Sequence, residues 1–225
     1  NEVVLTYNEQ QARAEAERCL DCHQYCSICV GVCPNMALQT WQSDAFEIHL
    51  PGLQAGPDGI SVGDGKTWSV EQAFQIAVLT DFCNECGNCT TFCPTSGEPY
   101  RDKPRLYLDR KEFEAQQDNA FMVFRDANRW AMDARWQDET HHIELNGKLD
   151  YQGPGFSARL DPESFELEQI EAAADSSGAD ELSLEPVAVM YVLLNGLRQS
   201  LPHLPTTLTS VLAQKGRIAH PGYAE

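Results

Sequence analysis

Positive charge is scarce. The 225 residues include 16 Lys and Arg against 34 Asp and Glu, a formal net charge of −18 at pH 7. Such a chain repels polyanions, which argues against nucleic acid or an anionic membrane surface as a partner. Long apolar runs are missing too. The longest, Val187 to Leu194, falls well short of the ~20 residues that cross a bilayer. No G-x-G-x-x-G run follows a strand-like segment, so the chain has no dinucleotide fingerprint of its own. No nucleophile–base constellation stands out, and no catalytic residue is expected. The last absence is of cysteine outside two short stretches: all nine lie in Cys19–Cys33 or Cys83–Cys93. That clustering is not the pattern of scattered core thiols. No signal peptide opens the chain and it is not small, so a disulfide scaffold is also disfavoured and a reducing cytoplasm expected. The first residue is Asn1, not Met, which reads as a processed product or part of a longer polypeptide.

What is there is cysteine at cluster spacing. Cys83 to Pro94, CNECGNCTTFCP, reads C-x2-C-x2-C-x3-C-P. In that run three thiolates face one iron–sulfur cubane, and the fourth reaches a second cluster. A partner run is therefore required, and Cys19 to Pro34, CLDCHQYCSICVGVCP, supplies it. Cys26, Cys29 and Cys33-Pro34 repeat the last three positions in register. The first position falls on His23, and Cys22 beside it is the natural substitute. Crossing the runs gives Cys22, Cys26, Cys29 and Cys93 for one cluster. Cys83, Cys86, Cys89 and Cys33 hold the other. Cys19 is left over, either as a buried helix cysteine beside the cluster or as a ligand in a slipped set of Cys19, Cys22 and Cys26 that frees Cys29. His23 reads more simply as a hydrogen-bonding or exposed histidine than as a ligand. Two zinc sites of four thiolates would also use eight cysteines. Zinc motifs usually separate their C-x2-C pairs by a longer spacer, so the triple runs favour cubanes.

The rest of the chain frames these runs. Thr6 and Glu9 fit a capping box opening a helix that leads to the first run. A short helix is expected over 35–41. Alternation at Phe46, Ile48 and Leu50 predicts a strand over 45–50. The Gly-, Pro- and Asp-rich residues 51–66 predict a loop, and Ile76 to Thr80 a strand. Strands are expected at 120–124, around Trp130, Met132 and Ala134, and at 156–160. Between them, Asn146-Gly147 predicts a three-residue hairpin loop, Leu145-Asn146-Gly147, pairing Ile143 with Leu149. His141 and His142 fall on opposite faces of their strand and do not chelate together. Residues 161–185 carry nine acidic side chains and no basic one, which predicts a solvated surface or a mobile connection. Pro186 opens a last helix, with Val187, Met190, Tyr191, Leu194 and Leu201 on one face.

Two stretches, EAERCLDCHQYCSICVGVCPN and DFCNECGNCTTFCPTSGEPYRDKPRLY, carry a family likeness. They resemble the ferredoxin-like segment, with two [4Fe-4S] clusters, of flavoprotein subunits named for selenate reductase. Those are related to the glutamate synthase small subunit, and similar segments occur in the dihydropyrimidine dehydrogenase superfamily. The resemblance covers mainly residues 10–110. It implies two [4Fe-4S] clusters, with FAD and NAD(P) on a missing segment or a partner flavoprotein subunit, and a further redox subunit as acceptor. The substrate in the family label is not carried over.

The expected fold is α+β: a two-cluster, bacterial-ferredoxin-like core with inserted strands, then a C-terminal antiparallel sheet plus helix. Residues 1–110 would form the dicluster domain and 111–225 an extension for docking or scaffolding. The expected function is electron relay inside an oxidoreductase complex. The alternatives are a zinc-stapled scaffold subunit and a free-standing soluble ferredoxin.

Overall fold

The computed structural model describes residues 6–16, 26–43, 46–57, 59–72, 74–126, 129–173, 181–201 and 207–208. Helix α1 (Glu9–Ala16) opens on a reciprocal capping box, though not the expected one. The Gln11 N–H donates to Asn8 Oδ1 at 2.9 Å and the Asn8 N–H to Gln11 Oε1 at 3.0 Å. Asn is at least as good a cap as Thr, so the helix starts two residues later than a Thr6 box would place it. The chain continues through α2 (Ile28–Val32), β1 (Leu38–Gln42), β2 (Phe46–Gly56), β3 (Gly59–Val70) and β4 (Phe74–Leu79). A 3₁₀ turn (Thr80–Phe82), α3 (Asn88–Thr91), α4 (Pro99–Asp102), β5 (Arg105–Leu106) and α5 (Arg110–Glu114) follow. The remainder is β6 (Ala120–Asp126), β7 (Arg129–Trp136), β8 (Glu139–Leu145), β9 (Leu149–Gly153), β10 (Phe156–Leu160), β11 (Leu167–Ala172), β12 (Glu181–Leu182), α6 (Glu185–Ser200) and β13 (Thr207–Leu208).

Alternation along β6 shows how the core is layered. Phe121 and Val123 enter one apolar cluster, while Ala120, Met122 and Phe124 enter another on the opposite face. A strand covered on both faces belongs in the middle of a sheet. The order is β1-β4-β5-β6-β7-β8-β9-β10-β11, with β13 also paired to β6. From β6 to β11 the strands form an antiparallel meander. On the other side, β5 pairs in parallel with both β4 and β6, and β4 pairs antiparallel with β1. A second sheet, β12-β2-β3, stands beside it. Helix α6 packs across β1, β7 and β8 and buries Val187, Met190, Leu193, Leu194 and Leu197. Gly196 is what lets Trp41 of β1 approach, since a Cβ there would run into the indole. The opposite face of β6 is closed by α5, whose Asp109 cap accepts the Glu112 N–H at 2.9 Å and whose Phe113 is fully buried. No helix among the described residues is long and apolar enough to cross a membrane.

Four local expectations change. Residues 35–41 do not form a helix. Met36 takes a left-handed backbone (φ 53°), and Leu38–Gln42 pair with β4 instead. Residues 51–66 are not a loop but most of the β2–β3 hairpin. Its glycines are needed for close crossing: a Cβ on Gly65 would strike the Leu50 carbonyl, and one on Gly52 the Asp64 carbonyl, where the register shifts. The hairpin loop after β8 is Asn146-Gly147-Lys148, with Leu145 opposite Leu149 and Ile143 opposite Tyr151. That differs from the expected register by two residues, which keeps every side chain on its expected face. Within the acidic stretch, Leu167–Ala172 and Glu181–Leu182 are strands, and Lys148 pairs with both Asp161 and Glu168. The sheet also crosses residue 110, since β4 and β6 are both neighbours of β5.

Candidate metal centre

The two cysteine runs fold into one motif twice, 60 residues apart (Cys33 and Cys93). In each, a short helix carries a buried cysteine, Cys29 in α2 and Cys89 in α3, at 7% and 6% exposure. The two helices lie against each other. In each, Cys-Pro ends the helix, because Pro34 and Pro94 cannot donate the next backbone bond. The carbonyl of Cys33 accepts the Met36 N–H at 3.3 Å, and that of Cys93 accepts the Ser96 N–H at 3.2 Å. Met36 and Ser96 are left-handed at φ 53° and 56°. This turn aims the next amide back at the sulfur. Ala37 N–H donates to Cys33 Sγ, and Gly97 N–H to Cys93 Sγ, both at 3.3 Å.

One site emerges in full. Cys33 joins Cys83, Cys86 and Cys89 around a single pocket of about 270 Å³, counted with its open side, whose apolar wall includes Leu38 and Tyr100. Glu85 (φ 53°) and Gly87 (φ 78°) curl the loop so that three of these cysteines line the same space. These are the four residues grouped around the second expected cluster. The other expected set is described in part. Cys29 senses Cys26 as an electrostatic neighbour, and Lys103 acts on both Cys29 and Cys93. Cys19, Cys22 and His23 lie outside the described residues. The described cysteines are all free thiols.

The thiols differ electrically. Burial pushes Cys29 and Cys83 above the usual thiol value, with neighbouring cysteines adding to it. Cys93 is pulled down, first by the Thr95 hydroxyl, whose Oγ1 stands 3.3 Å from its sulfur, and then by backbone N–H groups. Buried thiols gain little by ionising alone, so a cationic centre is what would hold them as thiolates. Among the described residues, no three His, Cys, Asp or Glu side chains converge tightly enough to hold one metal ion. A cluster binds each thiolate through a different iron, so its ligands stand apart around a larger body. Four thiols lining one pocket are a donor set that a cubane can take, one to each iron.

The two histidines do face opposite ways. His141 is buried, its Nδ1 2.8 Å from Tyr151 Oη. His142 lies 2.6 Å through Nδ1 from Asp133 Oδ1, and the other Asp133 oxygen takes Arg110 at 3.0 Å. The Arg110–Asp133–His142 group was not anticipated. A signal for it existed: Asp133 alternates with Ala131 on the inner face of β7, where a lone carboxylate demands partners.

No family model matches the chain, and no solved structure matches it. The provisionally named oxidoreductase YgfK of Escherichia coli K12 is 37% identical to it over 109 residues. That stretch is 48% of this chain and 8% of the relative. YgfK of Escherichia coli O157:H7 matches over the same length at the same identity. The chain therefore spans a small fraction of the length of the curated relatives it matches. The likeness is to part of an oxidoreductase.

Proposed function

We propose that the chain is an iron–sulfur electron-transfer module with two [4Fe-4S] clusters. It relays electrons between a flavin- and NAD(P)-bearing part of an oxidoreductase and a further redox centre. The observation that carries this reading is the meeting of Cys33 with Cys83, Cys86 and Cys89 around one pocket. A cysteine some 50 residues upstream completes the downstream run, as interlocked cluster runs require. The partial likeness to an oxidoreductase supports a redox role. Cys26, Cys29 and Cys93, with Cys22, would hold the other cluster.

The clusters would supply one-electron exchange. The protein's own part is to place and shield the sulfurs. Leu38, Ile76 and Val78 exclude water behind Cys29 and Cys89. The Ala37 and Gly97 amides neutralise charge on Cys33 and Cys93. Both runs contribute to both sites, so the two centres sit close together, as electron transfer needs. FAD and NAD(P) belong to another segment or a partner flavoprotein subunit, and the working compartment is the cytoplasm.

The test is anaerobic purification with metal and sulfide analysis. Roughly eight iron and eight sulfide per chain, with broad brown absorbance bleached by dithionite, is the expected result. A colourless protein with roughly two zinc per chain would replace this reading with a structural scaffold.

A further inference from the structure

The two copies of the cysteine motif match in backbone but differ at one side chain that touches sulfur. Two residues after the Cys-Pro cysteine stands Thr95 in one copy and Asn35 in the other. Thr95 Oγ1 is 3.3 Å from Cys93 Sγ. Were Cys93 a cluster-bound thiolate, it would carry no proton and the hydroxyl would be the donor. Cys93 then receives two hydrogen bonds, from the Thr95 O–H and the Gly97 N–H. Cys33 receives, among the described residues, only the Ala37 N–H.

We propose that Thr95 is a tuning residue that raises the reduction potential of the cluster bound through Cys93 and so sets the two clusters apart. The inference rests on the two-cluster reading above. A cluster gains one negative charge on reduction. A donor aimed at its sulfur stabilises the more negative state more strongly, which moves the potential up. Two other groups act on the same place. Lys103 favours anionic Cys93 and Cys29, and the Asp102 carboxylate, bound to the Glu98 N–H at 2.6 Å, sits beside Gly97. Neither changes when Thr95 is replaced, so a substitution isolates the hydroxyl. Thr95 is exposed, and removing its oxygen costs little packing.

The test is a redox titration of the full chain, followed by electron paramagnetic resonance, on wild type, Thr95→Val and Thr95→Ser. The expected result is that Thr95→Val lowers one midpoint potential and leaves the other in place, while Thr95→Ser keeps both near wild type. Asn35→Thr, at an exposed position of the matching turn, is expected to raise the midpoint that Thr95→Val left alone. Should Thr95→Val fail to assemble, Thr95→Ala removes the same hydroxyl and is read the same way. Unchanged midpoints without the hydroxyl, or both moving together, overturn the role of Thr95 while leaving the clusters standing. A wild-type chain without iron and sulfide overturns the two-cluster reading, and this inference with it.

Discussion

The cysteine half and the meander half are held together differently. The cluster-side core is small: Cys29, Leu38, Ile76, Val78 and Cys89 are its buried members, and two of those five are cysteines. Its helices α2 and α3 have five and four residues, too short to persist by themselves. The meander buries Phe121, Met132, Ile143, Leu149, Tyr151 and Phe156 against α6 in one large core. The difference teaches that the meander can rest on apolar burial, while the cysteine motifs have little of it and, on the proposed reading, would lean on a bound cluster as small metal-dependent folds do.

Four measurements break or sharpen that contrast. The largest effect is expected from Cys86→Ser, an exposed cysteine of the four that line the pocket and a proposed cluster ligand. It removes one cluster's worth of iron and sulfide, and hydrogen exchange over residues 83–93 rises towards the unprotected rate while residues 120–160 keep their protection. Equal loss of protection in both halves would merge them into one cooperative unit. Next, Phe121→Ala leaves a void in the main core and costs about 3–5 kcal/mol, read as a lower melting temperature. Iron content at low temperature should not change.

The third test is a pH profile. Burial holds His141 down at about 4 from the ordinary 6.5. The unfolded chain therefore takes up the proton first as pH falls. The stability tied to neutral His141 is complete above pH 6.5 and is lost progressively down to about pH 4. The loss is on the order of 3 kcal/mol at most. Urea unfolding of wild type and His141→Gln between pH 7 and 4 checks it, because the substituted chain loses this part of the slope. The smallest effect is expected from Cys19→Ser, which leaves both clusters intact. Loss of a full cluster there would move Cys19 into the ligand set.

Much of this was legible beforehand, for identifiable reasons. Cysteine and proline recur at fixed spacing, so an association of Cys33 with the downstream run could be expected without coordinates, and Cys33 does line the pocket of Cys83, Cys86 and Cys89. Period-two alternation placed Phe46, Ile48 and Leu50 in a strand and separated His141 from His142. What failed was local propensity where a distant partner decides. Asn35 to Trp41 has no strong strand pattern, and pairing with β4 makes Leu38–Gln42 a strand. Gly52, Gly63 and Gly65 look like loop punctuation, yet two of them relieve backbone contacts inside a hairpin. The two-residue strand β5 and the Arg110–Asp133–His142 group depend on neighbours remote in sequence, which no window of adjacent residues contains.

Strand β5 has a mechanical consequence. It joins β4 to β6 by two rungs on each side, whereas every antiparallel neighbour pair in this sheet shares at least four. That is the seam at which a pulling force would part the sheet. Helix α6 lies over both sides of it, touching β1 on one flank and β7 and β8 on the other, and so works as a splint. Anything gripping the meander therefore steers the sulfur-bearing end as a rigid handle steers its blade.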